Sequence, residues 1–244
     1  MKTNVRNYLL SVLAILPFLL VSCEDGFLGG ISGEGEIVEG TLDVDEFDGF
    51  DLGIAADVYV SQGDEFGVVM EAQQNIIDNI NTDNVSNGIW KIKNYTWVRN
   101  SKSIKIFITL PELTKVSLSG SGDIVGETPF TDIDRLDVSI SGSGKIDLET
   151  ESSELFLKIS GSGDIYLTGS TDLLDCSISG SGGIHAFDMI TNRADIIVSG
   201  SGNTRVNVEE ALDVSISGSG SVYYRGNPQV DSHISGSGNV RHDQ

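Results

Sequence analysis

The chain has 244 residues, 29 of them glycine, and a formal net charge of −21 at pH 7. A surface this acidic repels nucleic acid and anionic lipid headgroups, so we expect no nucleic-acid partner. Most of the information in the sequence lies in how the glycines are spaced.

The chain begins with features of a lipoprotein signal peptide. Lys2 and Arg6 supply a positive start, and the apolar run at positions 8–21 is too short to span a bilayer as a stable helix. The run ends in Leu20-Val21-Ser22-Cys23, which resembles the bacterial lipobox, in which the cysteine is diacylated. We therefore predict lipidation at Cys23 and a membrane partner through that lipid anchor. An ordinary signal peptide with an incidental cysteine is the alternative.

These features predict three parts of the chain: a signal peptide at 1–22, a lipidated N-terminus and tether at 23–35, and one domain at 36–244. Acidic residues directly after Cys23 resemble the surface-export signals of bacteroidete lipoproteins. That resemblance implies an outer-membrane or cell-surface location, and retention facing the periplasm is the alternative.

The first third of the domain, residues 36–117, is rich in predicted strands. We expect one strand with a bend at 51–60 and further strands at 66–72, 88–93 and 103–110, with one short helix within 71–80. Because an open hydrophobic end of a repeat protein needs cover, these strands are expected to form the first coils of the same domain.

The rest of the chain is a sevenfold repeat of Ser-Gly-Ser-Gly. Its copies start at Ser119, Ser141, Ser160, Ser179, Ser199, Ser217 and Ser235, at intervals of 22, 19, 19, 20, 18 and 18 residues. Before each copy, apolar residues occupy alternate positions, which is the period of a strand with one buried face. A second short strand follows each copy. The pattern predicts an all-β fold, a single-stranded parallel β-helix (β-solenoid) with about 18–22 residues per coil.

The glycines of the tetrapeptide are predicted to form sharp corners of the coil. Glycine reaches positive φ without steric cost and lets stacked corners approach closely. The serines can form hydroxyl ladders along the stack. A flexible Gly/Ser linker, a calcium-binding nonapeptide roll and a propeller are alternatives that the flanking aliphatic pattern and the period disfavour.

The order of motifs resembles a known family. Val58-Tyr59-Val60-Ser61-Gln62-Gly63-Asp64 is followed by Leu110-Pro111-Glu112-Leu113 and then by the tetrapeptide repeats. This order resembles the head GIN domain of autotransporter adhesins, a family of secreted bacteroidete β-solenoid proteins. The resemblance implies a cell-envelope lipoprotein that acts as an adhesin or ligand-binding module, with an extracellular glycan or protein as its partner.

No catalytic residues are expected from the sequence. The three histidines have no Ser-His-Asp order nearby, and neither Gly-x-Ser-x-Gly nor a zinc-ligand spacing occurs. The alternative is a polysaccharide lyase or hydrolase on a β-helix scaffold. Arg205, Tyr223, Arg225 and Arg241, which follow the corners, would be its candidate residues.

One column of carboxylates is predicted. Asp175, Asp195, Asp213 and Asp231 each lie four positions before a tetrapeptide and would stack outward about 4.8 Å apart. Calcium is a candidate ligand for such a column, and a solvated acidic face is the alternative. No other cofactor is expected. Cys176 takes an inward position and is predicted to be a small buried hydrophobe.

Two further features bear on partners. Trp90, Tyr95 and Trp97 lie in one segment and form a candidate ligand-binding site, with closure of the solenoid end as the alternative. The last strand follows the seventh corner directly, and an open strand edge invites pairing with another chain. A homo-oligomer through the C-terminal edge is therefore a candidate.

Overall fold

The structure is a computed structural model, and it describes residues 29–243. The predicted signal peptide, the lipidation site Cys23 and the first part of the tether lie outside these residues. The described residues form the strands and the helix β1 Ile31–Ser32, β2 Ile37–Thr41, β3 Gly49–Leu52, β4 Asp57–Gln62, β5 Gly67–Gln73, α1 Gln74–Ile77, β6 Val85–Ser86, β7 Ile89–Ile92, β8 Val98–Asn100, β9 Lys105–Leu110, β10 Lys115–Leu118, β11 Ser121–Gly126, β12 Phe130–Ile140, β13 Ser143–Ile159, β14 Asp164–Ile178, β15 Ile184–Val198, β16 Thr204–Ile216, β17 Val222–Arg225, β18 Gln229–Ile234 and β19 Val240–His242.

Each coil of the repeat region has two strand faces that meet at the tetrapeptide corner. We call the residues that lead into the corner the pre-corner face and those that leave it the post-corner face, and each of the strands β13 to β16 runs from the post-corner face of one coil to the pre-corner face of the next. Successive coils pair in parallel and in register, so that Ile146 lies beside Ile165 on the post-corner face and Ile159 beside Ile178 on the pre-corner face. The predicted parallel β-solenoid is confirmed, and its coils have the length of the sequence repeat.

Aliphatic side chains fill the interior of the solenoid. The residues before the first six corners are at most 1% exposed, and they are Leu118, Ile140, Ile159, Ile178, Val198 and Ile216. Removing each such side chain from water contributes roughly 1.5–3 kcal/mol, which makes this column a main source of stability. The predicted inward alternation is therefore confirmed.

Cys176 belongs to the same interior. Its side chain is fully buried between coils. Burial raises the pKa of its thiol well above the usual range, and the neighbouring charges of Asp175 and Asp195 raise it further. A buried neutral thiol acts as a small apolar side chain, as predicted.

The corner glycines are required by the close approach of stacked coils. A Cβ added to Gly180 would come within 3.0 Å of the carbonyl oxygen of Gly161, closer than Cβ atoms come in proteins. The same holds for Gly182 above Gly163. A positive φ accounts for fewer of these glycines. Within the tetrapeptides of the described residues, φ is positive only at Gly122 and at Gly144, and the backbone of Gly144 is close to extended.

The serines continue the ladder round the corner through their backbone. Ser199 N–H donates to the Ile178 carbonyl at 2.8 Å, and Ser201 N–H donates to the Gly180 carbonyl at 3.0 Å. Between residues 29 and 243, the bonds that join two hydroxyls lie instead at strand positions, Ser117 with Ser139 and Ser152 with Thr171. Among the described residues, the corner serines therefore form no hydroxyl ladder.

The first coils do not stack in chain order. Strand β3 pairs in parallel with both β7 and β10, and β4 pairs in parallel with both β9 and β11. The coil of β3 and β4 is therefore inserted between two coils that follow it in sequence. The predicted strand at 51–60 is in fact these two strands, separated by a corner at 53–56. The other three predicted strands correspond to β5, β7 and β9.

The N-terminal end of the stack is closed by antiparallel structure. Strand β5 pairs antiparallel with β9 and β2, and β6 pairs antiparallel with β7. Helix α1 lies within the segment predicted to be helical, and it buries Ile76 and Ile77. This layer covers the apolar interior that an open solenoid end would expose. Within residues 29–243, no helix has the length and apolar character needed to cross a membrane.

Candidate ligand-binding surfaces

The aspartate column forms as the repeat predicts. Asp175, Asp195, Asp213 and Asp231 occupy neighbouring register positions on the pre-corner face. Partial burial raises the pKa of Asp195, and the charges of Asp175 and Asp213 raise it further. Across the described chain, no group of three or more His, Cys, Asp or Glu side chains is arranged to hold a metal ion. Calcium binding by this column stays a prediction.

We expect Asp195→Asn to raise the melting temperature at pH 7. The pKa of Asp195 is raised in the folded protein, which therefore holds this proton more tightly than the unfolded chain does. The free energy of unfolding consequently falls as the pH rises through the titration of this carboxyl. Solvent screens the exposed column, so we expect a gain of at most about 0.5 kcal/mol.

The check is thermal unfolding at pH 7 and at about pH 3, where the carboxyl is protonated in both states and the gain should vanish. Asp188→Asn, at an exposed position outside the column, is the matched control. An equal gain at both pH values would contradict repulsion as the cause.

The three aromatic residues predicted to form one site are separated in the structure. Trp90 is fully buried, and its indole N–H donates to the Asn81 carbonyl at 3.1 Å. The prediction that Trp90 contacts a ligand is thus wrong, because Trp90 is a core residue of β7. The Tyr95 hydroxyl donates to Asp83 at 3.0 Å, and this bond raises the pKa of Tyr95.

Trp97 lines a groove. Its side chain is 59% exposed at the edge of a depression of about 450 Å³, which we call the Trp97 groove. The groove is lined by Gly53, Ile54, Ala55, Asn94, Trp97, Val98, Arg99, Asn100, Ser101 and Ile104.

Two polar side chains line the Trp97 groove, Asn94 and Arg99. Asn94 Oδ1 is buried and has no hydrogen-bond partner among residues 29–243. Arg99 Nη2 donates to the Gly30 carbonyl at 3.0 Å, which holds the guanidinium beside the groove. An aromatic face beside a fixed guanidinium is typical of a site for polar ligands. The sequence did not single out Asn94 or Arg99, because nothing in their spacing marks them.

A second surface lies on the post-corner face. Tyr166, His185, Arg205, Tyr223 and Arg241 occupy successive register positions, and we call them the aromatic–cationic column. Sequence reasoning singled out Arg205, Tyr223 and Arg241 but missed Tyr166 and His185. All five lie six residues after the first serine of a tetrapeptide, so the repeat itself could have identified them. Arg225 lies two residues beyond this column, and its guanidinium is 4.1 Å from the ring centroid of Phe187.

The C-terminal end of the stack differs from the N-terminal end. Val230 and Ile234 of β18 take the positions that are buried in earlier coils, yet they are 37% and 41% exposed. Strand β18 pairs with β16, and β19 with β17. Among the described residues no strand pairs with the outer edge of either, so an oligomer through this edge stays a prediction.

Comparison with known proteins finds one matching family and several similar structures. A family model described as "Putative auto-transporter adhesin, head GIN domain" matches residues 46–228. The crystal structure of "a putative adhesin" from Bacteroides fragilis is 27% identical, with a TM-score of 0.82 over 88% of this chain and 100% of the other.

Two structures from Parabacteroides show the same fold at lower identity. A "putative adhesin" from P. merdae is 20% identical, with a TM-score of 0.76 over 88% of this chain and 99% of the other. A "putative lipid binding protein" from P. distasonis is 24% identical, with a TM-score of 0.73 over 88% of this chain and 100% of the other. No curated protein matches the chain.

Proposed function

Because the chain belongs to the family described as "Putative auto-transporter adhesin, head GIN domain", we propose that it is a non-catalytic ligand-binding module of the bacterial cell envelope. The family and two of the structural relatives described above carry the name of adhesins. A rigid stack of hydrogen-bonded coils suits this role, since it presents surface side chains at fixed spacing.

The observation that carries the proposal is the Trp97 groove. Its exposed indole offers a flat apolar surface to a sugar ring or to an apolar side chain of a protein ligand. Arg99, held beside the groove by its bond to the Gly30 carbonyl, can donate to a polar ligand that packs on the indole.

The proposed location is the outer membrane or the cell surface, with a lipid on Cys23 as the anchor. The apolar run that ends in Leu-Val-Ser-Cys supports the lipid anchor, and the acidic residues that follow support export to the surface. The tether would be shorter than the predicted 23–35, because Ile31–Ser32 pairs with β8 and belongs to the domain.

We expect Trp97→Ala to weaken ligand binding about tenfold or more without changing the melting temperature. Arrays of glycans and matrix proteins, probed with the chain from residue 24 onward, would first identify a ligand. Its affinity for wild type and variant would then be measured by calorimetry.

Tyr95→Phe is the matched control, because Tyr95 lies in the same segment but its hydroxyl contacts Asp83 outside the groove. A lower melting temperature for Trp97→Ala with unchanged binding would mean that Trp97 closes the solenoid end, and the groove would lose its proposed role.

Polysaccharide cleavage is the second candidate function. The observation in its favour is the contact of His185 with both Asp164 and Arg205, at 3.3 Å each. Release of reducing ends or unsaturated products from an acidic polysaccharide would contradict the proposal of a non-catalytic module.

A further inference from the structure

The aromatic–cationic column contains a chain of contacts that holds its side chains in place. The rings of Tyr166 and His185 stack with centroids 4.3 Å apart and planes 7° apart. The guanidinium of Arg205 lies 5.5 Å from the ring centroid of Tyr223, within the range of a cation–π contact. Along the solenoid axis, the two stacked rings of Tyr166 and His185 are thus followed by Arg205, Tyr223 and Arg241.

His185 fixes the position of Arg205. Arg205 Nη1 lies 3.3 Å from His185 Nδ1, and a guanidinium can only donate, so Nδ1 accepts. His185 Nε2 lies 3.3 Å from Asp164 Oδ1 and is left to donate there. This arrangement sets the tautomer of the imidazole and orients the guanidinium before any ligand arrives.

The arginines of this column are free to bind an anion. Ion pairs in residues 29–243 join Arg225 to Asp243 and Arg193 to Glu210, but none of them includes Arg205 or Arg241. Arg205 and Arg241 therefore keep donors that no carboxylate of the described residues accepts.

A groove runs beside the column. It has a volume of about 330 Å³, and its lining includes Tyr166, His185, Phe187 and Arg205. Two carboxylates also border it, Asp147 and Asp188. Lys145 lies 3.0 Å from Asp147 and neutralises it.

We propose that the aromatic–cationic column binds an anionic polysaccharide that lies along the solenoid axis. Its carboxylate or sulfate groups would pair with Arg205 and Arg241, because the planar guanidinium matches both anions bidentately. Its sugar rings would pack on Tyr166 and Tyr223. A coil spacing of about 4.8 Å favours a polymer, since successive units meet successive coils.

The net charge of the chain restricts this partner further. A charge of −21 repels densely charged polymers such as nucleic acid. A glycan with one anionic group per disaccharide carries fewer charges along its length than nucleic acid does. Each of its anionic groups would pair with an arginine of the column. This inference does not depend on the Trp97 groove, which lies in a different part of the chain.

The test measures binding of three glycans to the chain from residue 24 onward at low salt. Hyaluronan carries carboxylates, keratan sulfate carries sulfates, and dextran is neutral. We expect at least one anionic glycan to bind and dextran not to bind. The affinity should fall as NaCl is added, because salt screens exposed charges.

The variants locate the site. Arg205→Gln should weaken binding about tenfold, since a hydrogen-bonded charge pair is lost. Arg241 makes no side-chain hydrogen bond or ion pair within residues 29–243, so Arg241→Gln removes charge from the column without disturbing folding. Arg193→Gln changes the charge equally outside this column, and binding should be retained.

Two results would overturn the proposal. One is the absence of saturable binding to both anionic glycans at low salt. The other is equal weakening by Arg193→Gln and Arg205→Gln, which would indicate a diffuse charge effect. Trp97→Ala separates the two sites, because it should leave binding to the aromatic–cationic column unchanged.

Discussion

Alanine in place of Gly180 should lower the free energy of unfolding by about 3 kcal/mol, because the added methyl group has no space. Its carbon would come within 3.0 Å of the carbonyl oxygen of Gly161 in the coil below. That oxygen is backbone and belongs to the ladder of stacked corners, so it cannot move aside as a flexible side chain would. Either the corner hydrogen bonds lengthen or the two coils separate locally.

Urea-induced unfolding, followed by tryptophan fluorescence, measures this loss. Gly67→Ala is the matched control, because a Cβ on Gly67 of β5 meets no heavy atom within 4 Å. The control should change stability by no more than about 0.5 kcal/mol. Equal effects of the two substitutions would contradict the close approach of stacked corners as the reason for the corner glycines.

The second large effect concerns the aliphatic residue before each corner. Ile178→Ala should cost about 3 kcal/mol, from lost burial and from the cavity left between coils. Ile178 is fully buried in the middle of the stack. Coils above and below hold the surrounding backbone in register, which limits how far the cavity can collapse.

Ile234 provides an internal control for this prediction. It takes the same place before the seventh corner, but it is 41% exposed, since no coil of the described chain covers it. Ile234→Ala should therefore cost less than half as much as Ile178→Ala in the same urea titration. Equal losses would show that another chain or segment covers the C-terminal end in solution, as an oligomer through this edge would.

The repeat region could be predicted almost completely from sequence. Each coil contacts mainly its two neighbours, so the local pattern of an aliphatic residue, a glycine corner and a second strand already contains the tertiary contacts. For the same reason the register of the aspartate column follows from counting positions back from each tetrapeptide. Tyr166 and His185 could have been found by counting forward in the same way.

The N-terminal third could not be predicted in this way. Its strands were largely anticipated, but the insertion of the β3–β4 coil between two later coils depends on pairings between distant segments. The aromatic residues show the same limit. Trp90 and Trp97 are seven positions apart in one segment, yet one lies in the core and the other lines a groove.

The sequence alone therefore determined the solenoid, its coil length, its buried aliphatic column and its family, because the same local residue pattern occurs seven times along the chain. The tertiary structure decided the order of the first coils, the closure of the N-terminal end and which side chains meet at each surface. Those features arise from single, non-repeated contacts between residues far apart in the chain, and no periodic pattern encodes them.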